Sequence, residues 1–169
     1  MRVTTRASRA KNGTRRAGLG AKLLGVGVTT AVAIGISASP AAAAAVNPVF
    51  VPGNPPLVCP AGAEGFTIDP PVDTTVPVTV DSASGDVIVD FSEDLLQVSF
   101  NTTGNLAIRQ VTVKGADDAN RYIYDANSTP QSFPNGIAAD TGLVAPINMG
   151  GNPPEISNVD FCVIPGDGS

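Results

Sequence analysis

The chain has 169 residues, among them ten basic and fifteen acidic side chains, two cysteines and no histidine. Without histidine it cannot build a Ser-His-Asp or Cys-His catalytic site or a histidine-based zinc site. Seven of the ten basic residues lie before residue 23, so residues 46–169 carry three basic against fifteen acidic side chains, a net charge of −12. This balance disfavours nucleic acid and anionic membranes as partners and permits cations or basic proteins.

Residues 1–45 have the layout of a secretory signal peptide. A basic segment ends at Lys22, an uncharged run follows over residues 23–38, and small residues dominate positions 39–45, which is the order of regions in such signals. A transmembrane anchor is the alternative, but it needs about 20 strongly apolar residues, whereas glycines and threonines interrupt this run. We therefore predict that residues 1–45 are removed, that a bacterial cell exports the protein, and that no membrane contact persists after cleavage.

The export route and the exact cleavage bond stay open. The pair Arg15-Arg16 partly resembles a twin-arginine signal, but the residues after it depart from that pattern, so the general secretory route is favoured. The small residues Ala43 and Ala45 favour a cut before Val46. The neighbouring alanines satisfy the same small-residue requirement and leave other bonds available.

Residues 46–169 are predicted to form one domain with a single core, because this length is typical of one domain. Cys59 and Cys162 lie near its two ends, and export brings the chain into an oxidising compartment. We predict that these cysteines form a structural disulfide. A redox role would favour a closely spaced Cys-x-x-Cys pair, which the sequence lacks.

Residues 46–60 are rich in proline, which predicts an extended arm or edge segment that is fixed where Cys59 is tethered. After this arm, apolar and polar residues alternate in short segments bounded by turn-forming residues. This pattern predicts strands joined by turns near residues 66–68, 76–80, 87–91 and 95–100.

Residues 106–125 predict two further strands joined by a connection after Lys114, with the lysine in solvent. The first strand changes parity, because Leu106 and Ile108 are at even positions whereas Val111 and Val113 are at odd ones. A β-bulge near Arg109-Gln110 restores a single inward face. We therefore predict a bulge there.

Residues 126–155 lack clear periodicity and contain many prolines and glycines, so we expect a long irregular loop that covers the fold or forms the functional surface. A last strand follows over residues 157–163. The total is about seven short strands with no helix, which predicts an all-β fold, an antiparallel β-sandwich. A small β-barrel is the alternative.

Several short motifs follow one another through most of residues 46–169. They comprise Val111, Val113, Lys114 and Gly115, then Asn120, Tyr122 and Tyr124, then Asp140, Gly142, Leu143, Pro146 and Asn148, then Ile156, Ser157, Phe161 and Cys162, with Cys59, Gly62 and Phe66 upstream. In this order the chain resembles an uncharacterised family of small secreted bacterial β-sheet domains. Ala116 and Asn158 stand where that family usually has glycine and histidine. The resemblance implies an extracellular β-domain and transfers no active site.

Calcium is the one cofactor that the composition suggests, because predicted loops supply several hard oxygen ligands. These residues are Asp81, Asp86, Asp117, Asp118, Asn120, Asp125 and Asp140. None of them forms an EF-hand or a repeat-type calcium motif, and turns also use Asp and Asn for local hydrogen bonds. These residues therefore either bind calcium or make hydrogen bonds within their own turns.

Four residues are candidates for contact with a partner. Tyr122 and Tyr124 are two apart and share one face of a strand. They either stack against a partner or a sugar ring, or lie buried in the core with their hydroxyls hydrogen-bonded; the missing tryptophan favours burial. Gly136 and Pro146 mark the loop of residues 126–155, which could present a binding surface.

No catalytic residue is assigned. We expect a non-enzymatic interaction module, secreted or associated with the cell wall, whose partner is an extracellular protein or glycan. One alternative is a protease-inhibitor-like or glycan-binding module that presents the loop of residues 126–155. Another is a hydrolase that uses paired carboxylates.

Overall fold

The computed structural model of the chain describes residues 44–167. The predicted signal peptide, apart from Ala44 and Ala45, lies outside the described residues. The strands are β1 (Val49–Val51), β2 (Glu64–Ile68), β3 (Thr74–Val80), β4 (Ala83–Phe91), β5 (Val98–Thr102), β6 (Leu106–Gly115), β7 (Asp118–Ile123), β8 (Ala139–Leu143) and β9 (Ile156–Pro165). Residues 44–167 contain no helix, and hence none long and apolar enough to cross a membrane.

The nine strands form two antiparallel sheets. One sheet has five strands in the order β1-β7-β6-β9-β2, and the other has four in the order β3-β4-β5-β8. Every ladder between neighbouring strands is antiparallel. The predicted all-β sandwich is therefore confirmed, and the alternative of a closed barrel is wrong because the two sheets stay separate.

Alternating side chains from the two sheets form one core. Val87, Val89 and Phe100 of the four-stranded sheet and Val111 and Phe161 of the five-stranded sheet are all at most 3% exposed. The Phe161 ring is central, because its centroid lies 5.8 Å from that of Phe100 in the opposite sheet. Side chains of this size each contribute about 1.5–3 kcal/mol when buried.

The predicted bulge is confirmed in β6. Ile108 pairs with Val163 and Gln110 pairs with Cys162, so Arg109 is the extra residue on this strand. Because of this extra residue, Ile108 and the odd-numbered valines that follow can all enter the core. The Arg109 guanidinium donates to two backbone carbonyls beside the bulge.

The proline-rich arm covers the outer face of the five-stranded sheet. Within this arm, Cys59 forms the predicted disulfide with Cys162 of β9, and the Gln110 Nε2 atom donates to the Val58 carbonyl at 3.1 Å. Every residue of β6 except Arg109 is buried, and at Gln110 the arm contributes to this burial. The arm supplies a second, smaller covering layer, with β1 at its start forming an edge strand.

Residues 126–155 were predicted to form a long, mostly irregular loop, and one part of this prediction is corrected, because β8 lies within them and pairs with β5. Its pattern is hidden because the inward position opposite Phe100 holds Asp140, a carboxylate. A strand with an acidic residue on its inner face shows no apolar alternation. This carboxylate is part of the candidate site.

Candidate functional site

The proposed calcium ligands are spread over both sheets. Asp81 lies in the β3–β4 turn and Asp86 in β4, whereas Asp117 lies in the β6–β7 turn and Asp118 begins β7 in the other sheet. Within residues 44–167, no group of three acidic, cysteine or histidine side chains is placed to hold a metal. The structure therefore does not bring the seven predicted residues together as one site.

Three of these polar residues instead make hydrogen bonds that support the fold. The Asp118 Oδ1 atom accepts from the Gly53 amide at 2.9 Å, and the Asn120 Nδ2 atom donates to the Val144 carbonyl at 3.1 Å. Asp125 accepts from the Asn127 amide in the turn after β7. The Asp125 bond is the ordinary use of Asp at a turn, whereas those of Asp118 and Asn120 tie β7 to distant segments of the chain.

The two tyrosines lie in the core. Tyr122 is 1% exposed and Tyr124 is 0% exposed, because β7 and its extension direct both rings toward the four-stranded sheet. The Tyr122 hydroxyl donates to the Val144 carbonyl and accepts from the Val144 amide. The idea that these rings stack on a partner is therefore corrected: neither ring has a face open to solvent.

Asp140 joins the two sheets through the second tyrosine. The Tyr124 hydroxyl donates to the Asp140 Oδ2 atom at 2.8 Å, with both groups buried. The carboxylate also accepts from the amides of Thr141 at 2.7 Å and of Ala45 at 2.9 and 3.1 Å to its two oxygens. Asp140 is thus a 6% exposed carboxylate held by neutral donors.

Burial determines the ionisation of both tyrosines. Desolvation raises the pKa of Tyr122, and desolvation together with the negative charge of Asp140 raises the pKa of Tyr124 well above its usual range. An uncharged phenol is favoured in a core because the phenolate loses its hydration there. Both hydroxyls therefore act as hydrogen-bond donors at neutral pH.

Lys114 is buried, contrary to the expectation of a solvated lysine. Its Nζ atom lies 2.7 Å from the Asp160 Oδ2 atom, and this is the one ion pair within residues 44–167. The Thr67 hydroxyl donates to the other carboxylate oxygen at 2.7 Å. The group links β6, β9 and β2 on the outer face of the five-stranded sheet. It is a structural connection between three neighbouring strands.

Gly136 and Pro146, the two loop candidates, lie at opposite ends of the sandwich. A Cβ atom on Gly136 would stand 2.7 Å from the Ile108 carbonyl oxygen, near the start of β6, whereas Pro146 borders a cleft next to Gly115 at its end. Ten extended residues separate these ends by about 30 Å. Pro146 is itself buried and Gly136 is half-buried, and the structure does not bring the two candidates together in one site.

The segment after β8 exposes two large apolar side chains. Ile147 is 68% exposed and Met149 is fully exposed. A cleft of about 450 Å³ separates Met149 from the β6–β7 turn at Ala116 and Asp117. We call these four residues, Ala116, Asp117, Ile147 and Met149, the Met149 surface.

Hydrogen bonds fix the loop that carries Met149. The Asn148 Oδ1 atom accepts from the amides of Gly150 at 2.9 Å and of Asn152 at 3.1 Å, and the Asn148 amide donates to the Asn152 carbonyl at 3.0 Å. Residues 148–152 thus form a closed turn. Sequence reasoning missed this site because a methionine among Asn, Gly and Pro carries no periodic signal.

The surface of the domain is acidic because its basic residues are buried or partly buried. Lys114 is buried, and Arg109 and Arg121 are both partly buried. Most of the fifteen acidic residues are exposed or half-exposed, with Asp140 and Asp160 buried. The described part of the chain therefore presents negative charge with little positive charge to offset it.

Comparison with known proteins finds no match: no family model matches the sequence, and neither the search of curated proteins nor that of solved structures finds a similar one. The resemblance to small secreted bacterial β-sheet domains stays a prediction.

Proposed function

We propose that the protein is a non-enzymatic secreted interaction module, and that the Met149 surface binds a polypeptide segment carrying both basic and apolar side chains. One observation carries the proposal: Met149 stands exposed on a hydrogen-bonded turn across a cleft from Asp117, with the exposed Ile147 just before that turn, on a domain of strongly negative charge.

The rigidity of the turn favours binding. A partner that covers the exposed Met149 side chain gains the free energy of burying it. Because the bonds of Asn148 already fix the turn, a partner that covers Met149 loses little backbone entropy on binding. The cleft of about 450 Å³ beside it offers room for one side chain of the partner.

Charge selects the chemistry of the partner. Residues 46–169 carry a net charge of −12, and a field of this sign attracts basic partners and repels acidic ones. Asp117 lies at the cleft itself. A segment with lysine or arginine next to an apolar residue satisfies both features.

The residue types available in the chain support a non-enzymatic role. The sequence has no histidine, and both cysteines form the disulfide. The two buried carboxylates are engaged, Asp140 with Tyr124 and backbone amides and Asp160 with Lys114. These engagements favour structural roles for both acids.

Capture from extracellular material tests the proposal. Residues 45–169 are immobilised and exposed to culture supernatant and cell-wall extracts, in parallel with the double variant Ile147→Ser/Met149→Ser. The matched control is Val58→Ser/Val72→Ser, which removes two apolar side chains that are 63% and 56% exposed elsewhere. A partner retained by the wild type and by the control, lost with the first variant and weakened by salt, supports the proposal. Equal capture by all three proteins overturns it.

A protease-inhibitor-like role is a second candidate, favoured by the full exposure of Met149 on a closed turn. A side chain presented in this way suits a protease with an apolar specificity pocket. Inhibition assays against chymotrypsin-like and subtilisin-like proteases test it, with Met149→Lys expected to transfer inhibition to a trypsin-like protease. Complete hydrolysis of the turn without inhibition eliminates this role.

A further inference from the structure

Asp140 is a buried carboxylate whose partners leave its charge uncompensated. Its hydrogen-bond donors are the Tyr124 hydroxyl and the amides of Thr141 and Ala45, and the buried Tyr122 hydroxyl also lies close enough to feel its charge. The one ion pair of residues 44–167 is elsewhere, between Lys114 and Asp160. A charge buried without an opposite charge is costly.

The Ala45 amide is placed on this carboxylate by the fold. The next residue, Val46, is 2% exposed and belongs to the core, where it forms a bridge with Pro130. The Asn47 amide then donates to the Thr129 carbonyl at 2.7 Å. These contacts hold the Ala45 nitrogen within 2.9 and 3.1 Å of the two Asp140 oxygens.

We infer that Asp140 is the binding site for the amino terminus of the processed protein, and that the mature chain begins at Ala45. Hydrolysis of the Ala44–Ala45 bond adds one water, leaving a carboxylate on Ala44 and an α-ammonium group on Ala45. That ammonium occupies the position of the present amide, keeps its hydrogen bonds and adds the missing positive charge. This inference rests on the proposed function in one respect: it requires that the protein is secreted and its signal peptide removed.

Competing cuts fit this site less well. Ala42 and Ala44 satisfy the small-residue requirement for a cut before Ala45, so the sequence permits this bond as readily as the next. A cut before Val46 removes the donor to Asp140 and puts an ammonium group on a residue that is 2% exposed. A cut farther upstream leaves a neutral amide at Ala45 and no cation beside Asp140.

Two measurements test the inference separately from partner binding. The first is the intact mass of the full chain after export by a bacterial host, expected to correspond to Ala45–Ser169. Exported protein that begins only at Val46 or only upstream of Ala45 overturns the assigned terminus. The second uses chains made to begin at Ala45, so it does not depend on export.

In the second measurement, the rate of acylation of the α-amine is followed against pH. An α-amine has a pKa of about 7.7–8.0 in model peptides, and an ion pair with Asp140 raises it. We expect acylation at pH 7.5 at least tenfold slower than in the unfolded chain, with Asp140→Asn restoring most of the rate. Wild-type protein with an unshifted pKa and an unslowed rate overturns the inference whether or not the variant folds.

Discussion

The Tyr124 hydroxyl donates a hydrogen bond of 2.8 Å to Asp140, and this bond joins the end of β7 in one sheet to β8 at the edge of the other. Both residues are almost fully buried. This bond accounts for two features that the sequence pattern does not show. Tyr124 can lie in the core because its hydroxyl has a partner there, and β8 can place Asp140 on its inner face because the carboxylate is hydrogen-bonded.

Tyr124→Phe should destabilise the fold by about 1–3 kcal/mol, because a buried carboxylate loses a donor. The ring keeps its contacts with Phe100 and Phe133, so the loss isolates the hydroxyl. Tyr122→Phe is the control, since its hydroxyl bonds only neutral backbone groups, and it should cost about 1 kcal/mol. Urea unfolding measures both; an equal or smaller loss for Tyr124→Phe contradicts the assigned role of the bond.

Alkaline pH should unfold the protein as the tyrosines ionise. Burial raises the pKa of both tyrosines, so their contribution to stability is fully present below the unfolded value near 10. It is lost as pH rises through the higher folded values. Because the chain has two tyrosines and no tryptophan, absorbance near 295 nm should change together with circular dichroism. Phenolate absorbance that appears near pH 10 in folded protein argues against burial.

Ala116→Gly should stabilise the protein by about 1 kcal/mol. Ala116 has φ of 53° in the turn between β6 and β7, a left-handed conformation that costs a side-chain-bearing residue about 1–2 kcal/mol and glycine little. Ala126→Gly is the matched control: this exposed alanine is not among the residues with positive φ, so the same change should destabilise. Thermal unfolding that shifts both variants in the same direction contradicts this account of the turn.

Removal of the disulfide should weaken the whole sandwich. Cys59 and Cys162 are 103 residues apart, and closing a loop of that length is worth about 4–5 kcal/mol in the chain-entropy description. The variant Cys59→Ala/Cys162→Ala should lose about 2–5 kcal/mol and free the arm that covers Gln110. Denaturant unfolding and limited proteolysis within residues 52–60 measure the two effects. A variant with unchanged stability and an uncleaved arm refutes the covering role.

The sequence predicted those features that leave a local signal. The change of parity between Ile108 and Val111 was enough to locate the bulge, and two cysteines in a chain with a predicted export signal were enough to predict the disulfide. Lys114 could not be identified as buried, because its partner Asp160 is brought beside it only by the pairing of β6 with β9. The exposure of Met149 is likewise a property of the folded turn, since residues 148–152 contain no pattern that separates a covering loop from a protruding one.

Selection of peptides on immobilised residues 45–169 tests the central claim most directly, because it reports the chemistry that the Met149 surface prefers. A displayed random library should yield sequences that place lysine or arginine next to an apolar residue. The same sequences should fail to bind Ile147→Ser/Met149→Ser and should bind Val58→Ser/Val72→Ser as they bind the wild type. Enrichment of acidic sequences, or binding that the first variant leaves unchanged, would contradict the account.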